Sequence, residues 1–236
     1  MAAASHGVVH PTNTGVDNRK LLMWIFLASE CLFFGALLST YLIFKGDLSL
    51  PPFPSDTLVP LSVIEDAIAR GLVDPRVVEE MCVAHGAGEL ECHGILDIPI
   101  TSTSTFVLLM SSLTMVLAVF GAQHQRLGMM KFWLLMTALL GLTFLGFQVF
   151  EFRTFGAEGL NLSTSQFGSS FFLLTGFHGT HVAVGVLILF SALAGSFRRN
   201  SLGPETGFHI EIVGLYWHFV DIVWIVLFTV IYLIPA

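Results

Sequence analysis

An all-α polytopic bundle of five membrane-spanning helices is the fold this sequence predicts, and three observations predict it. Only 11% of the 236 residues are charged, against about 25% in soluble domains. The hydrophobic fraction is 54% and the mean hydropathy +0.80. The apolar residues also fall in five stretches, each near the ~20 residues that a helix needs to cross a hydrocarbon core. The 22 phenylalanines against 3 tyrosines agree, since lipid accepts a phenyl ring without asking for a hydrogen bond. Such a composition excludes a disordered chain, a nucleic-acid-binding protein and an ordinary soluble enzyme.

The stretches are Leu21–Phe44, Ser102–Gln123, Phe132–Phe152, Ser170–Ala194 and Ile212–Ile234. Together they hold 115 residues and three charges, Glu30, Glu151 and Asp221. Backbone groups in lipid must pair internally, so each stretch is helix and not open sheet. A closed barrel would show alternating segments of about 10 residues, and these runs do not alternate. Residues 1–20 form a polar segment, and 21–236 form a single membrane domain with an extramembrane insertion at 45–101. The first apolar run, 24 residues long, exceeds the ~7–15 of a signal-peptide core and reads as a retained span.

Lysines and arginines set the expected orientation. Arg19, Lys20, Arg126, Lys131, Arg198 and Arg199 fall on one side; Lys45, Arg70, Arg76 and Arg153 fall on the other. This predicts a cytoplasmic N-terminus and an external C-terminus.

The connector opens with Pro51-Pro52-Phe53-Pro54, an extended start. Ser62-Val-Ile-Glu65 fits a capping box, and Gly71 fits the stop of a short helix. Asp74-Pro75 fits an N-cap followed by proline at the first helical position, which predicts a second helix to about Ala84. Ten acidic residues lie between Asp47 and Asp97. A small solvated cap and an acidic docking surface for a basic partner both fit them.

Cys31 lies within the first span and is expected to pack there. Cys82 and Cys92 share the connector and bracket Gly86 and Gly88. In an oxidising exterior they form a disulfide closing a small loop. With His85 and His93 they resemble metal spacing only superficially.

Ionisable and polar groups inside spans are costly and by default suggest function. The candidates are Glu30, Gln148, Glu151, His178, His181, His218 and Asp221. Glu30 stands nine residues past Leu21, about 13–14 Å along the helix and near mid-membrane. It reads either as a carboxyl that handles protons or organises water, or as a neutral interhelical hydrogen bond that fixes packing. His178 and His181 are three apart and share a helix face, as do His218 and Asp221. An acid–imidazole pair across the bundle fits, but spacing does not choose the partners. Gln148 and Glu151 stand at the outer end of the third span, where capping or interfacial bonding suffices.

No three- or four-ligand set with open geometry appears in the spans, and no helix carries two widely spaced histidines for haem. No phosphate-cradling glycine loop is present, nor the inverted repeats and broken helices of a transporter. An independent proton channel and a membrane cytochrome therefore stand as readings from other classes. The chain alone is expected to be non-catalytic, with no cofactor or metal of its own.

Four strings then carry a resemblance. The first span has Ser29-Glu30 followed by Phe33-Phe34-Gly35. The third ends Gly146-Phe147-Gln148-Val149-Phe150-Glu151-Phe152. The fourth has Thr175-Gly176-Phe177-His178-Gly179-Thr180-His181-Val182. The fifth has Tyr216-Trp217-His218-Phe219-Val220-Asp221-Ile222-Val223-Trp224. The chain resembles subunit III of the haem–copper oxidases, most closely the cytochrome c oxidase type, across residues 20–45 and 100–236. The resemblance implies an accessory subunit without redox metal. Haems and copper are then held by other subunits, subunit I as the main partner and subunit II beside it. Electrons pass from cytochrome c to oxygen with proton pumping; a quinol oxidase or a nitric oxide reductase is the alternative setting. It further implies stabilisation of the catalytic subunit, support of proton uptake and oxygen access, and bound phospholipid. The membrane is a bacterial plasma membrane ahead of a mitochondrial inner one. Glu30 matches the family's buried carboxyl, and His178, His181, His218 and Asp221 fall on its motif positions. Two departures stand out. Many members have seven spans, and this chain starts at what resembles the third. The connector is also longer than the resemblance predicts.

Overall fold

The computed structural model describes residues 17–45, 57–71, 75–86, 88–94, 98–157, 160, 166–198 and 204–234. Five helices are long and apolar enough to cross a membrane: α1 (Asn18–Phe44), α4 (Ile98–Gln123), α5 (Leu127–Ala157), α6 (Gln166–Arg198) and α7 (Pro204–Phe228). A π-helical turn, Thr229–Leu233, continues α7. Each helix begins before its apolar stretch. A helix the length of α5, 31 residues, runs about 46 Å at 1.5 Å per residue, longer than the ~30 Å hydrocarbon core.

Helices α4, α5, α6 and α7 close a ring: α4 packs on α5, α5 on α6, α6 on α7 and α7 on α4. A sharp turn joins α4 to α5. Gln125 takes φ 57° there, and Arg126 N–H donates to the Gly121 carbonyl at 2.9 Å. Gly121 is needed at this point because a Cβ would stand 2.9 Å from the Met130 backbone nitrogen.

Helix α1 lies outside the ring, against α6 and α7. Its buried residues are Leu27, Phe34 and Tyr41, seven apart, with Glu30 and Leu37 half-buried between them. This is a heptad seam, which presents one narrow stripe to its neighbours. Only 11% of its most apolar window is buried, against 33–39% for the other four. Cys31 is accordingly a free, exposed thiol. The expectation that it packs in the span fails because it stands off the seam.

The connector carries a sheet as well as helices. Strand β1 (Thr57–Pro60) leads into α2 (Leu61–Ala69); α3 (Pro75–Met81) is followed by β2 (Cys82–Ala84) and β3 (Glu89–Cys92). The strands pair antiparallel in the order β1-β3-β2. Val59, Ile64, Ala67, Val78 and Cys92 form a small core apart from that of the bundle. The capping-box expectation is corrected here. The N-cap of α2 is Pro60, with no side-chain cap bond, because Ser62 is already inside the helix. Gly71, at φ 69°, fits the expected stop. The second helix ends at Met81 and not near Ala84, since Cys82–Ala84 pairs with β3. Pro51–Pro54 and Asp74 lie outside the described residues.

Candidate functional site

The polar side chains inside the bundle meet in three groups. The first joins α1 to α6. His181 Nε2 stands 3.2 Å from a Glu30 carboxyl oxygen, and Phe34 packs edge-on against the His181 ring at 5.1 Å. His181 Nδ1 lies 2.8 Å from the Phe177 carbonyl. A carbonyl only accepts, so Nδ1 carries a hydrogen. A hydrogen bond between Nε2 and the carboxyl then requires a proton on one of the two groups. A cavity of about 440 Å³ opens beside this pair, walled by Met23, Phe26, Val184, Ile188 and Tyr216. The Tyr216 hydroxyl donates to the His181 carbonyl at 3.0 Å.

The second group locks α7 to α4 and α6. His178 is fully buried, stacked on Trp224 at 4.7 Å and edge-on to Phe144 at 5.8 Å. Its Nε2 donates to the Val220 carbonyl at 3.2 Å. The two histidines of α6 therefore serve different neighbours despite their shared face. Helix α4 supplies hydroxyls to α7 at successive levels. The Trp224 indole N–H donates to Thr105 and that of Trp217 to Ser111, each at 3.0 Å. Ser112 Oγ stands 2.6 Å from His218 Nδ1, and Asp221, three residues on and on the same face of α7, is buried. Trp217 fits only because Gly141 and Gly185 face it: a Cβ on either would stand 2.6 or 2.8 Å from its ring.

The third group ties α5 to its neighbours. Gln148 Nε2 donates to the Thr175 carbonyl at 2.8 Å and lies over Gly179, whose Cβ would meet the amide oxygen at 2.5 Å. The Thr101 hydroxyl bonds the Glu151 carboxylate. Both Gln148 and Glu151 are 7% exposed. The sequence reading put them near water at a helix end; the structure turns them inward to bridge helices.

Two lysines pin α1 to α7 at opposite ends. Lys20 Nζ pairs with Glu211 at 2.6 Å. Lys45 Nζ donates to the Val230 carbonyl at 2.6 Å and to that of Ile234. These carbonyls sit at the end of α7, where the helix dipole favours a cation. Burial lowers the Lys45 pKa from its usual value. Neither lysine was singled out in the sequence, nor were Ser111, Ser112, Thr101 and Thr105. A signal existed for the last four: hydroxyl residues cluster at 101–105 and again at 111, 112 and 114 in a span that is otherwise apolar. On the connector, Cys82 and Cys92 face each other across β2 and β3 and are joined as a disulfide.

The family model described as cytochrome c oxidase subunit III matches residues 86–235. The "Probable quinol oxidase subunit 3" of Staphylococcus aureus (strain USA300) is 32% identical over 234 residues, covering 95% of this chain and 96% of that protein. The protein of that name from Staphylococcus saprophyticus is 31% identical over the same shares. A match from end to end between chains of similar length includes the connector. With five spans, four motif strings and these matches together, the chain belongs to the subunit III family of the haem–copper oxidases.

Proposed function

We propose that this chain is the non-catalytic subunit III of a respiratory terminal oxidase in a bacterial plasma membrane. It stabilises the catalytic subunit, which with its neighbours holds the haems and copper. One observation supports this best. The motif residues His178, Gln148, Glu151 and His218 are each directed at another helix of this same chain. Side chains spent on interhelical hydrogen bonds build a rigid scaffold. Phospholipid bound along the apolar surface, proton uptake and oxygen access are further roles of this reading. In its first form the electron donor is cytochrome c. A second form, with a quinol as donor, is favoured by the end-to-end match to relatives named quinol oxidase subunit 3.

Affinity purification of the tagged chain from native membranes tests the proposal. Haem absorbance, copper and oxygen consumption are expected in the eluate. Turnover on reduced cytochrome c supports the first donor, and turnover on quinol alone supports the second. An eluate without haem overturns the reading.

A further inference from the structure

We propose that the cavity between α1, α6 and α7 binds a membrane-dissolved hydroquinone, and binds it more tightly than the corresponding quinone. The inference rests on the reading of this chain as a subunit of a respiratory oxidase, and it concerns binding alone.

The cavity, of about 440 Å³, falls within the ~300–1,000 Å³ of small-molecule sites. Phe26 and Glu30 line it from α1, Val184 and Ile188 from α6, and Val213 and Tyr216 from α7. Its polar side chains have spent their hydrogens inside the chain. The Tyr216 hydroxyl donates to the His181 carbonyl. The hydroxyl of Thr180, which also lines the cavity, donates to the Gly176 carbonyl at 2.9 Å. His181 gives its Nδ1 hydrogen to the Phe177 carbonyl and turns Nε2 to one oxygen of Glu30. The second Glu30 oxygen makes no hydrogen bond among the described residues. Whichever group carries the proton of the Glu30–His181 bond, that second oxygen is an acceptor.

A site with acceptors and no free donor selects its occupant. An acyl chain brings no donor and leaves the half-buried carboxyl oxygen unmatched, which is costly. Water brings donors, but an ordered water needs about 2–4 polar partners, and most of this wall is hydrocarbon. A hydroquinone brings both parts, hydroxyl hydrogens on an apolar ring. The rings of Phe26 and Tyr216 stand 6.3 Å apart and 26° from parallel, an aromatic wall against which such a ring packs offset or edge-on. A long-chain alcohol would meet the oxygen but not that wall. The oxidised quinone carries two carbonyls, which only accept, so it gains no hydrogen bond from the Glu30 oxygen. The cavity therefore prefers the reduced form.

The test uses the whole oxidase complex in lipid nanodiscs and decylubiquinol with a diazirine on its decyl tail. Photolysis under anaerobic conditions should label peptides containing Phe26 and Tyr216, and excess untagged decylubiquinol should remove the label. The oxidised probe should label these peptides about three- to tenfold less, the range of one hydrogen bond. Glu30→Leu should lower labelling by the reduced probe by the same factor per copy of bound chain. Glu30→Gln, which keeps a carbonyl oxygen, should restore it. Val184→Trp fills the cavity while keeping the Glu30–His181 bond, and should abolish the label with the chain still in the complex. Equal labelling by the two redox states overturns the proposal, as do displacement of the label by dodecanol or phospholipid and undiminished label in Val184→Trp. These outcomes are distinct from failure of the subunit reading, in which no haem-bearing complex carries the chain at all.

Discussion

Glu30 of α1 and His181 of α6 meet at 3.2 Å, an acid–imidazole contact between two helices. Among the described residues it is the one polar bond at mid-span between the peripheral helix and the ring, since Lys20 and Lys45 act at the two ends.

Replacing Glu30 separates the two readings of this carboxyl. Glu30→Ala removes the bond and is expected to cost about 0.6–1.7 kcal/mol, with the chain leaving the complex at lower detergent concentration and haem absorbance unchanged. Glu30→Gln keeps a donor for Nε2 and should behave like the parent. If Glu30→Gln lowers the pumping yield while retention is normal, the carboxyl handles protons. Parental assembly, rate, pumping and lifetime in Glu30→Ala would reduce the residue to neutral packing.

The glycines divide into two kinds. Ala at Gly141, Gly179 or Gly185 would drive a Cβ to 2.6, 2.5 or 2.8 Å from Trp217 or Gln148. Such overpacking costs typically ~1–3 kcal/mol. Gly146 and Gly176 have nothing within 4 Å of a Cβ, and Ala there should be neutral or slightly stabilising. Thermal unfolding of the five single variants measures the contrast. Equal melting across all five would contradict the packing described.

Removing Ser112 or Asp221 tests the α4–α7 lock. Asp221→Ala and Ser112→Ala should each cost about 1–3 kcal/mol through unmatched buried groups. The double variant should cost less than the sum, because both residues pack beside His218. Additive losses would show that the two act independently.

The disulfide is tested by chemistry. Mass-spectrometric alkylation of the native protein should label Cys31 alone, and label Cys82 and Cys92 only after reduction. Loss of a bridge over this short loop should destabilise the cap by about 2–3 kcal/mol. Equal labelling of all three cysteines before and after reduction would sink the prediction.

The spans were legible in the sequence because each is a long apolar run, and lipid leaves such a run only one backbone structure. The candidate residues were legible as ionisable groups in those runs. Their partners were not, because spacing along one helix gives a face but no neighbour. Glu30 could equally have met His178 or His218, until the heptad seam of α1 turned it to α6. Gln148 and Glu151 misled for a related reason. Position near a helix end suggests water, but α5 is flanked by α4 and α6 at that level. In the connector, β1, β2 and β3 are only three or four residues each, too short for alternation to show.

The central claim is that the buried polar residues hold this subunit together and to its complex, and take no direct part in oxygen reduction. The most direct measurement compares purified parental, Ser112→Ala and Asp221→Ala complexes for three quantities: the amount of this chain bound, the haem spectrum and the initial oxygen-reduction rate. The account predicts less bound chain, an unchanged spectrum, and an unchanged initial rate per haem. A full complement of bound chain with a shifted haem spectrum or an abolished initial rate would contradict it.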